Sequence, residues 1–328
     1  MKPLISIIIP CRNEEKNIGK CLDSILKQDY PKERIEVLVI DGMSEDHTKD
    51  IIKDYIKKYP FIKLLDNPKK FTSFSLNTSL KVAKGEIIIR MDAHASYKSN
   101  YVSKCIDHII TSKADNVGGV IKTLPAKNTL IARAIAISLS SLFGSVSDFR
   151  VGSDGVKPVD TVFGGCYRKE VFKKNGLFNE NLIRSQDLEF NLRLKKTGGT
   201  ILLFPDIVAY YYPSSDLRDF FRHNFEDGMW AIYPFKFVKI PFGLRHYIPL
   251  IFMLSLIGTG ILGIFLSSFL WLFLFIIVSY FLVAIYFSLK TSVTEKDIRF
   301  LFILPIVFST RHIGYGLGSI LGLIKLLF

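Results

Sequence analysis

From Tyr247 to Phe328 the chain is dominated by Leu, Ile, Phe, Val and Gly, and this stretch limits the fold more than any other. So long an apolar run cannot all be packed inside one small soluble core, so it predicts a membrane region. Segments 247–266 and 269–289 have membrane length, and the uncharged pair Ser267-Ser268 joins them. Phe300 to Phe308 is interrupted by Pro305 and followed by Arg311-His312. It reads as an interfacial segment leading to a third, glycine-rich span at about 309–328. Arg245 precedes the first span, and Lys290, Lys296 and Arg299 lie in the link after the second. Positive charge gathers on the cytoplasmic side of such spans, so the chain ahead of them is expected in the cytoplasm. Leu4 to Ile9 is too short for the apolar centre of a signal peptide.

Before Tyr247 charged residues are mixed through the sequence in globular fashion. The predicted organisation is a cytosolic domain at 1–215, an amphipathic interface region at 216–245 and a membrane region at 246–328. The interface region rests on Phe220, Phe221, Phe225, Trp230, Tyr233, Phe235, Phe237 and Phe242 interleaved with Arg218, Arg222, Lys236 and Lys239. Aromatic rings at headgroup depth with cations beside phosphates suit a bilayer surface. The formal net charge is +13, yet no basic block and no nucleic-acid motif stands out. Contact with anionic membrane lipids accounts for the excess better than nucleic acid does. Cys11, Cys21, Cys105 and Cys166 form no CxxC pair, which predicts reduced, buried thiols.

Short β-branched runs alternate with helical patterns in the first half of the chain. Leu4–Ile9, Ile35–Ile40, Phe61–Leu65 and Ile87–Ile89 read as buried strands, with helices between them. Asn13 is the expected N-cap of the first helix. This rhythm predicts an α/β fold with a Rossmann-like, mostly parallel sheet. The glycine patterns of a dinucleotide fold or a P-loop are absent from the sequence. A helix follows at 100–111 and a strand at 116–121. Val159–Cys166 reads as a further strand, where Gly164 and Gly165 would let backbone approach a ligand.

Ligands of open α/β sheets sit beyond the carboxyl ends of the strands. There the sequence places Arg12-Asn13-Glu14, Asp41 and Asp92-Ala93-His94. A carboxylate and an imidazole two residues apart can share a divalent cation, which in turn can hold a diphosphate. An Asx-turn beside a surface histidine is the plainer reading of the same pair. Asp187 falls in the first turn of a helix, where a carboxylate commonly offsets the dipole.

Several segments together resemble the family 2 glycosyltransferases. Ser6 to Glu15 is similar to their V-P-x-Y-N-E-E opening, and Val39 to Thr48 to their V-D-D-G-S-T-D-G-T segment. Gly85 to His94 resembles the strand carrying their D-x-D, Ser185-Gln186-Asp187 their E-D segment, and Arg222 to Trp230 a weakened Q-x-x-R-W helix. D-A-H-A in place of D-x-D is most similar to the succinoglycan-biosynthesis glucosyltransferase type. The resemblance implies a GT-A fold, a nucleotide-diphospho-sugar donor, most simply a UDP-hexose, a divalent metal and inversion at the anomeric carbon. Pro10, Arg12 and Glu14 would then line the nucleotide pocket, and Asp41 would accept a hydrogen bond from the base. Asp92 would face ribose and metal, and His94 would hold the metal. Asp187 would be the general base. Gly164, Gly165, Gln186, His223 and Trp230 would wall the donor and acceptor site.

Three departures qualify this implication. His94 replaces the second aspartate, which favours manganese over magnesium. Gln186 replaces a glutamate, His223 stands where a glutamine is expected, and the arginine of that helix is out of register. The last two, with the small membrane region, argue against processive polymerisation. The expected acceptor is a lipid-linked or membrane-proximal glycan. A catalytically silent GT-A scaffold of a polysaccharide assembly is the competing reading.

Overall fold

A computed structural model describes residues 2–145, 147–238 and 243–328. Lys239 and Phe242 of the aromatic stretch lie outside the described residues. The chain divides into two compact units, Met1–Lys122 with Asp148–Tyr211, and Thr123–Ser147 with Tyr212–Phe328.

The first unit is built on nine strands: β1 (Ile5–Cys11), β2 (Ile35–Asp41), β3 (Ile62–Asp66), β4 (Ile87–Arg90), β5 (Ala95–Tyr97), β6 (Asn116–Thr123), β7 (Lys157–Pro158), β8 (Cys166–Arg168) and β9 (Ile201–Tyr211). They form one sheet in the order β3-β2-β1-β4-β8-β6-β9-β5, with β7 on β9. β3, β2, β1 and β4 run parallel, as the alternating rhythm of the sequence requires. Beyond β4 the sheet turns antiparallel, through β4 with β8, β8 with β6, and β5 with β9.

Continuous apolar strands are buried on both faces because side chains alternate. Ile5, Ile7 and Ile9 of β1 enter one core with Val37, Val39, Ile87 and Ile89. Helices Ile18–Leu26 and Tyr101–Ser112 cover that face. Ile8, Leu38, Ile40 and Ile88 enter the other, under helices Thr72–Val82 and Gln186–Lys196. All four cysteines are free and buried.

Two local expectations are corrected. Asn17, and not Asn13, occupies the N-cap position of Ile18–Leu26. Asn13 is left-handed at φ 53°, where its side chain accepts from Glu45 N at 2.9 Å and ties two loops together. Val159–Cys166 is not one strand, because Gly164 and Gly165 take φ of 67° and 98°, which no strand accommodates.

In the second unit, Ser267–Glu295 and Arg299–Leu327 are helices long and apolar enough to cross a membrane. Each has 29 residues, and a third apolar helix, Ile248–Gly263, has 16. The predicted break after Phe308 is absent: Pro305 falls in the second turn of Arg299–Leu327, and the helix runs through it. Helix Leu217–Ile232 packs along this terminal helix rather than standing alone. The contact is close enough that a Cβ on Gly228 would strike the Tyr315 carbonyl, and one on Gly318 that of Phe225. Ser319 Oγ donates to the Gly228 carbonyl at 3.1 Å, and Arg311 to Asn224 Oδ1 at 3.0 Å.

Candidate active site

Three parallel strands deliver their carboxyl ends to one edge of the first unit. β1 leads into Arg12, Asn13 and Glu14; β2 ends at Asp41; β4 ends at Arg90 and leads into Asp92 and His94. Pro10 is the penultimate residue of β1 and pairs with Ile40.

Asp41 is fully buried and engaged by its own loop. Its carboxylate accepts from the Ser44 amide at 2.9 Å and from the Ser44 hydroxyl, and Lys49 Nζ lies 3.5 Å away. Arg12 is exposed beside Glu45 at 3.8 Å. Glu14 reaches the other way, and its Oε1 lies 3.2 Å from His94 Nδ1. A carboxylate there fixes the proton on Nδ1 and leaves Nε2 with its lone pair. Burial works to lower the His94 pKa, but the Glu14 hydrogen bond and the Asp92 charge outweigh it and hold it above the ordinary imidazole value. The His94 ring also meets Tyr211 edge-on, with centroids 5.5 Å apart.

Arg90 is the residue that sequence reasoning missed. Its guanidinium is buried at the end of β4 and donates through Nε and Nη2 to Asp92 Oδ1, at 3.2 and 3.0 Å. Its Nη1 stands 3.4 Å from Asp187 Oδ2. One cation therefore holds two carboxylates from distant parts of the chain. Burial opposes the charge on both members of the Arg90–Asp92 pair. Their mutual attraction outweighs it, holding Asp92 below the usual carboxylate range and Arg90 above its ordinary value. The only sequence signal was an arginine ending an otherwise apolar strand directly before Met91-Asp92.

Gly164 and Gly165 serve this arginine rather than an open surface. A Cβ on Gly164 would lie 2.5 Å from the Arg90 carbonyl oxygen, and one on Gly165 2.5 Å from the Tyr167 ring. The Arg90 amide donates to the Gly165 carbonyl at 2.9 Å. Asp187 is at the start of helix Gln186–Lys196, one-third exposed, with Oδ1 accepting from its neighbour Leu188 N at 2.8 Å. Gln186 is buried, and its Oε1 has no hydrogen-bond partner. Glu189 is buried against Arg193, which donates Nε and Nη2 to its two oxygens at 2.9 and 3.0 Å. It is a structural ion pair and no substitute base. His223 and Trp230 belong to the second unit, on helix Leu217–Ile232. Trp230 is buried and meets Tyr233 edge-on at 5.5 Å, while His223 lies 3.4 Å from Asp227.

The donor set admits a divalent cation only with help. Among the described residues no three of His, Cys, Asp and Glu gather as a ready metal cage. Both Arg90 bonds fall on Oδ1 of Asp92, and the Glu14 bond falls on Nδ1 of His94. Asp92 Oδ2 and His94 Nε2 remain as one hard and one borderline donor. Two protein donors suit a cation whose shell is completed by ligand phosphates and water.

Comparison with known proteins places the chain in a family. Residues 6–176 match the profile described as Glycosyl transferase family 2. The chain is 34% identical over 268 residues to a dolichyl N-acetyl-alpha-D-glucosaminyl phosphate 3-beta-D-2,3-diacetamido-2,3-dideoxy-beta-D-glucuronosyltransferase of Methanococcus voltae, covering 79% of this chain and 82% of that protein. It is 28% identical over 246 residues to the succinoglycan biosynthesis protein ExoA of Rhizobium meliloti, covering 74% of each. In fold it resembles the mannosyltransferase PcManGT of Pyrobaculum calidifontis, solved with GDP-Man and Mn2+, with a TM-score of 0.62 at 17% identity, covering 99% of this chain and 88% of that one. The sheet is that of the GT-A fold. The chain belongs to glycosyl transferase family 2.

Proposed function

We propose that this glycosyltransferase moves a hexose from a uridine-diphosphate sugar to a lipid-linked or membrane-proximal glycan, with inversion at the anomeric carbon. The observation that carries the reading is the sharing of Arg90 between Asp92 and Asp187. It holds a carboxylate suited to the diphosphate side and a carboxylate suited to proton transfer at one locus. The M. voltae relative is named for transfer to a dolichyl-phosphate-linked sugar, which supports a lipid-linked acceptor here.

In this reading Pro10, Arg12, Glu14 and Asp41 border the nucleotide, and Asp92 and His94 would hold manganese, or magnesium less well. A bound divalent cation would neutralise the charge on the leaving diphosphate. Asp187 takes the proton of the attacking hydroxyl. The new bond forms from that oxygen to the anomeric carbon on the face opposite the diphosphate. The old carbon–oxygen bond breaks, and its electron pair leaves on the diphosphate. Proton removal by a positioned carboxylate supplies roughly two to four decades of rate. The orphaned Gln186 Oε1 suits a sugar hydroxyl as its donor, because a buried acceptor left unpaired costs about 1–3 kcal/mol. Gly164 and Gly165 shape this wall through Arg90.

Helices Ser267–Glu295 and Arg299–Leu327 anchor the protein, with the first unit in the cytoplasm. Trp271, Phe275, Leu282 and Phe302 are each more than 60% exposed, an apolar surface suited to lipid tails.

The test is release of nucleoside diphosphate by purified protein from a panel of UDP- and GDP-sugars, with manganese or magnesium, and with membrane extract as acceptor. Acceptor-dependent release from a UDP-hexose is the expected result. Release from GDP-sugars alone would move the donor to guanosine. Tight nucleotide binding without turnover on any donor would favour the silent scaffold.

A further inference from the structure

Arg150 sits in the short helical turn Asp148–Val151, on the stretch of the first unit that returns from the second. Lys157 Nζ fixes that turn by donating to Asp148 Oδ1 at 2.6 Å, and β7, where Lys157 lies, is hydrogen-bonded to β9. The guanidinium lies over the Tyr211 ring, 4.9 Å from its centroid, and over Phe149 at 5.7 Å. Tyr211 in turn meets the His94 ring. Arg150, Tyr211 and His94 thus form one wall, and the Arg150 charge reaches Asp92 and helps keep that carboxyl ionised.

An arginine held this way ordinarily has a carboxylate to satisfy it. Among the described residues none pairs with Arg150, and its Nη1 is buried with no hydrogen-bond partner. Arg90, the buried cation of the locus, is hydrogen-bonded to Asp92 through Nε and Nη2, and its Nη1 lies 3.4 Å from Asp187 without a hydrogen bond. Aromatic stacking keeps the Arg150 fork planar and oriented but supplies no acceptor for its N–H groups. The missing partner is an oxyanion with several acceptor oxygens, for which an arginine fork is the matching donor.

We propose that Arg150 binds phosphate oxygens presented beside His94, as the anion clamp of the site. The inference rests on the family 2 reading above and adds to it a cation that no resemblance motif contains. The phosphate has two possible sources, the diphosphate of the donor and the phosphate of a lipid-linked acceptor. The fork would hold the charge that Asp92, Asp187 and Glu14 would otherwise repel.

The experiment uses the full chain in detergent with manganese and compares wild type, Arg150→Gln and Arg150→Lys. One arm titrates UDP and GDP by calorimetry. The other titrates polyprenyl phosphate in mixed micelles of the same detergent, with neutral phospholipid as control. Thermal unfolding of each variant is followed in parallel. Loss of one charge-assisted contact is expected to weaken the responsive ligand about tenfold or more in Arg150→Gln. Arg150→Lys should recover part of this, with melting unchanged. A loss confined to the nucleotide arm identifies the donor diphosphate, and one confined to the polyprenyl phosphate arm the lipid phosphate. Unchanged affinity in both arms for a folded Arg150→Gln overturns the clamp while leaving the family reading intact. Wild-type protein that binds neither UDP, GDP nor polyprenyl phosphate overturns both.

Discussion

Arg90 Nη1 and Asp187 Oδ2 lie 3.4 Å apart, although one ends the fourth strand and the other opens a helix far along the chain. The same guanidinium donates twice to Asp92, so it is buried between two negative charges. Removing one partner of a buried ion pair leaves the others uncompensated, at about 3–5 kcal/mol. Arg90→Leu should therefore lower stability by that order, read as a fall in the unfolding midpoint. Adding Asp187→Asn to it removes one of the stranded charges and should return part of the loss. A double variant no more stable than Arg90→Leu would show that Asp187 is solvated independently of Arg90.

Glu14 and His94 give a pH dependence whose sign can be worked out. The folded-state pKa of His94 is raised above its ordinary value of about 6.5. Its contribution to stability is then fully present below pH 6.5 and is lost as pH rises through the raised value. Metal binding needs the neutral ring, so it runs the opposite way and strengthens with rising pH over the same window. Glu14→Gln should flatten both trends and raise the manganese concentration needed for half-maximal nucleotide binding by roughly tenfold or more. Manganese titrations at pH 6 and pH 8 in the two proteins would show a common curve if His94 lies outside the metal shell.

Asp41 presents a different balance. Its carboxylate accepts from the Ser44 amide and hydroxyl and stands near Lys49, which also pairs with Asp66 at 2.8 Å. Asp41→Ala would strand those donors in a buried setting, at about 1–3 kcal/mol each where no water reaches them. The expected result is a lower unfolding midpoint together with weaker UDP binding, since the loop that would border the nucleotide loses its anchor. Asp41→Asn should keep most of the stability. UDP affinity equal to wild type in Asp41→Asn, measured by calorimetry, would mean the base is read elsewhere.

The parallel half of the fold was legible because β1, β2 and β4 are buried on both faces and read as apolar runs, broken inside only at Ser6 and Glu36. β9 was not, although it has 11 residues, because Pro205 and Asp206 interrupt its pattern. An internal proline removes a ladder donor and argues against a strand from sequence alone. β5 has only three residues, too few for any period. The site was half legible for a similar reason. Asp92, His94 and Asp187 announce themselves by type and position. Arg90 and the pairing of Glu14 with His94 depend on contacts between strands, and no local pattern encodes those.

Asp187 remains the residue whose replacement separates mechanism from architecture. Two structural roles are open to its carboxylate: the first turn of a helix, where a negative charge is worth about 0.3–1 kcal/mol, and the ion pair with Arg90. Asn preserves the bond from Leu188 N and the shape, but it loses the charge and cannot take a proton. Because the Asp187 side chain is 34% exposed, the charge that the variant loses is partly screened by water already. The stability loss should stay near 1–2 kcal/mol. If the carboxylate only stabilises the helix and Arg90, transfer should remain close to wild type once folding is controlled for. If it is the base, donor binding should be near normal while transfer falls by on the order of a hundredfold or more. We expect the second outcome. Glu189 cannot take over, because both its oxygens are held by Arg193 in a buried pair. A folded Asp187→Asn protein that transfers sugar at a near wild-type rate would remove the base from helix Gln186–Lys196 altogether.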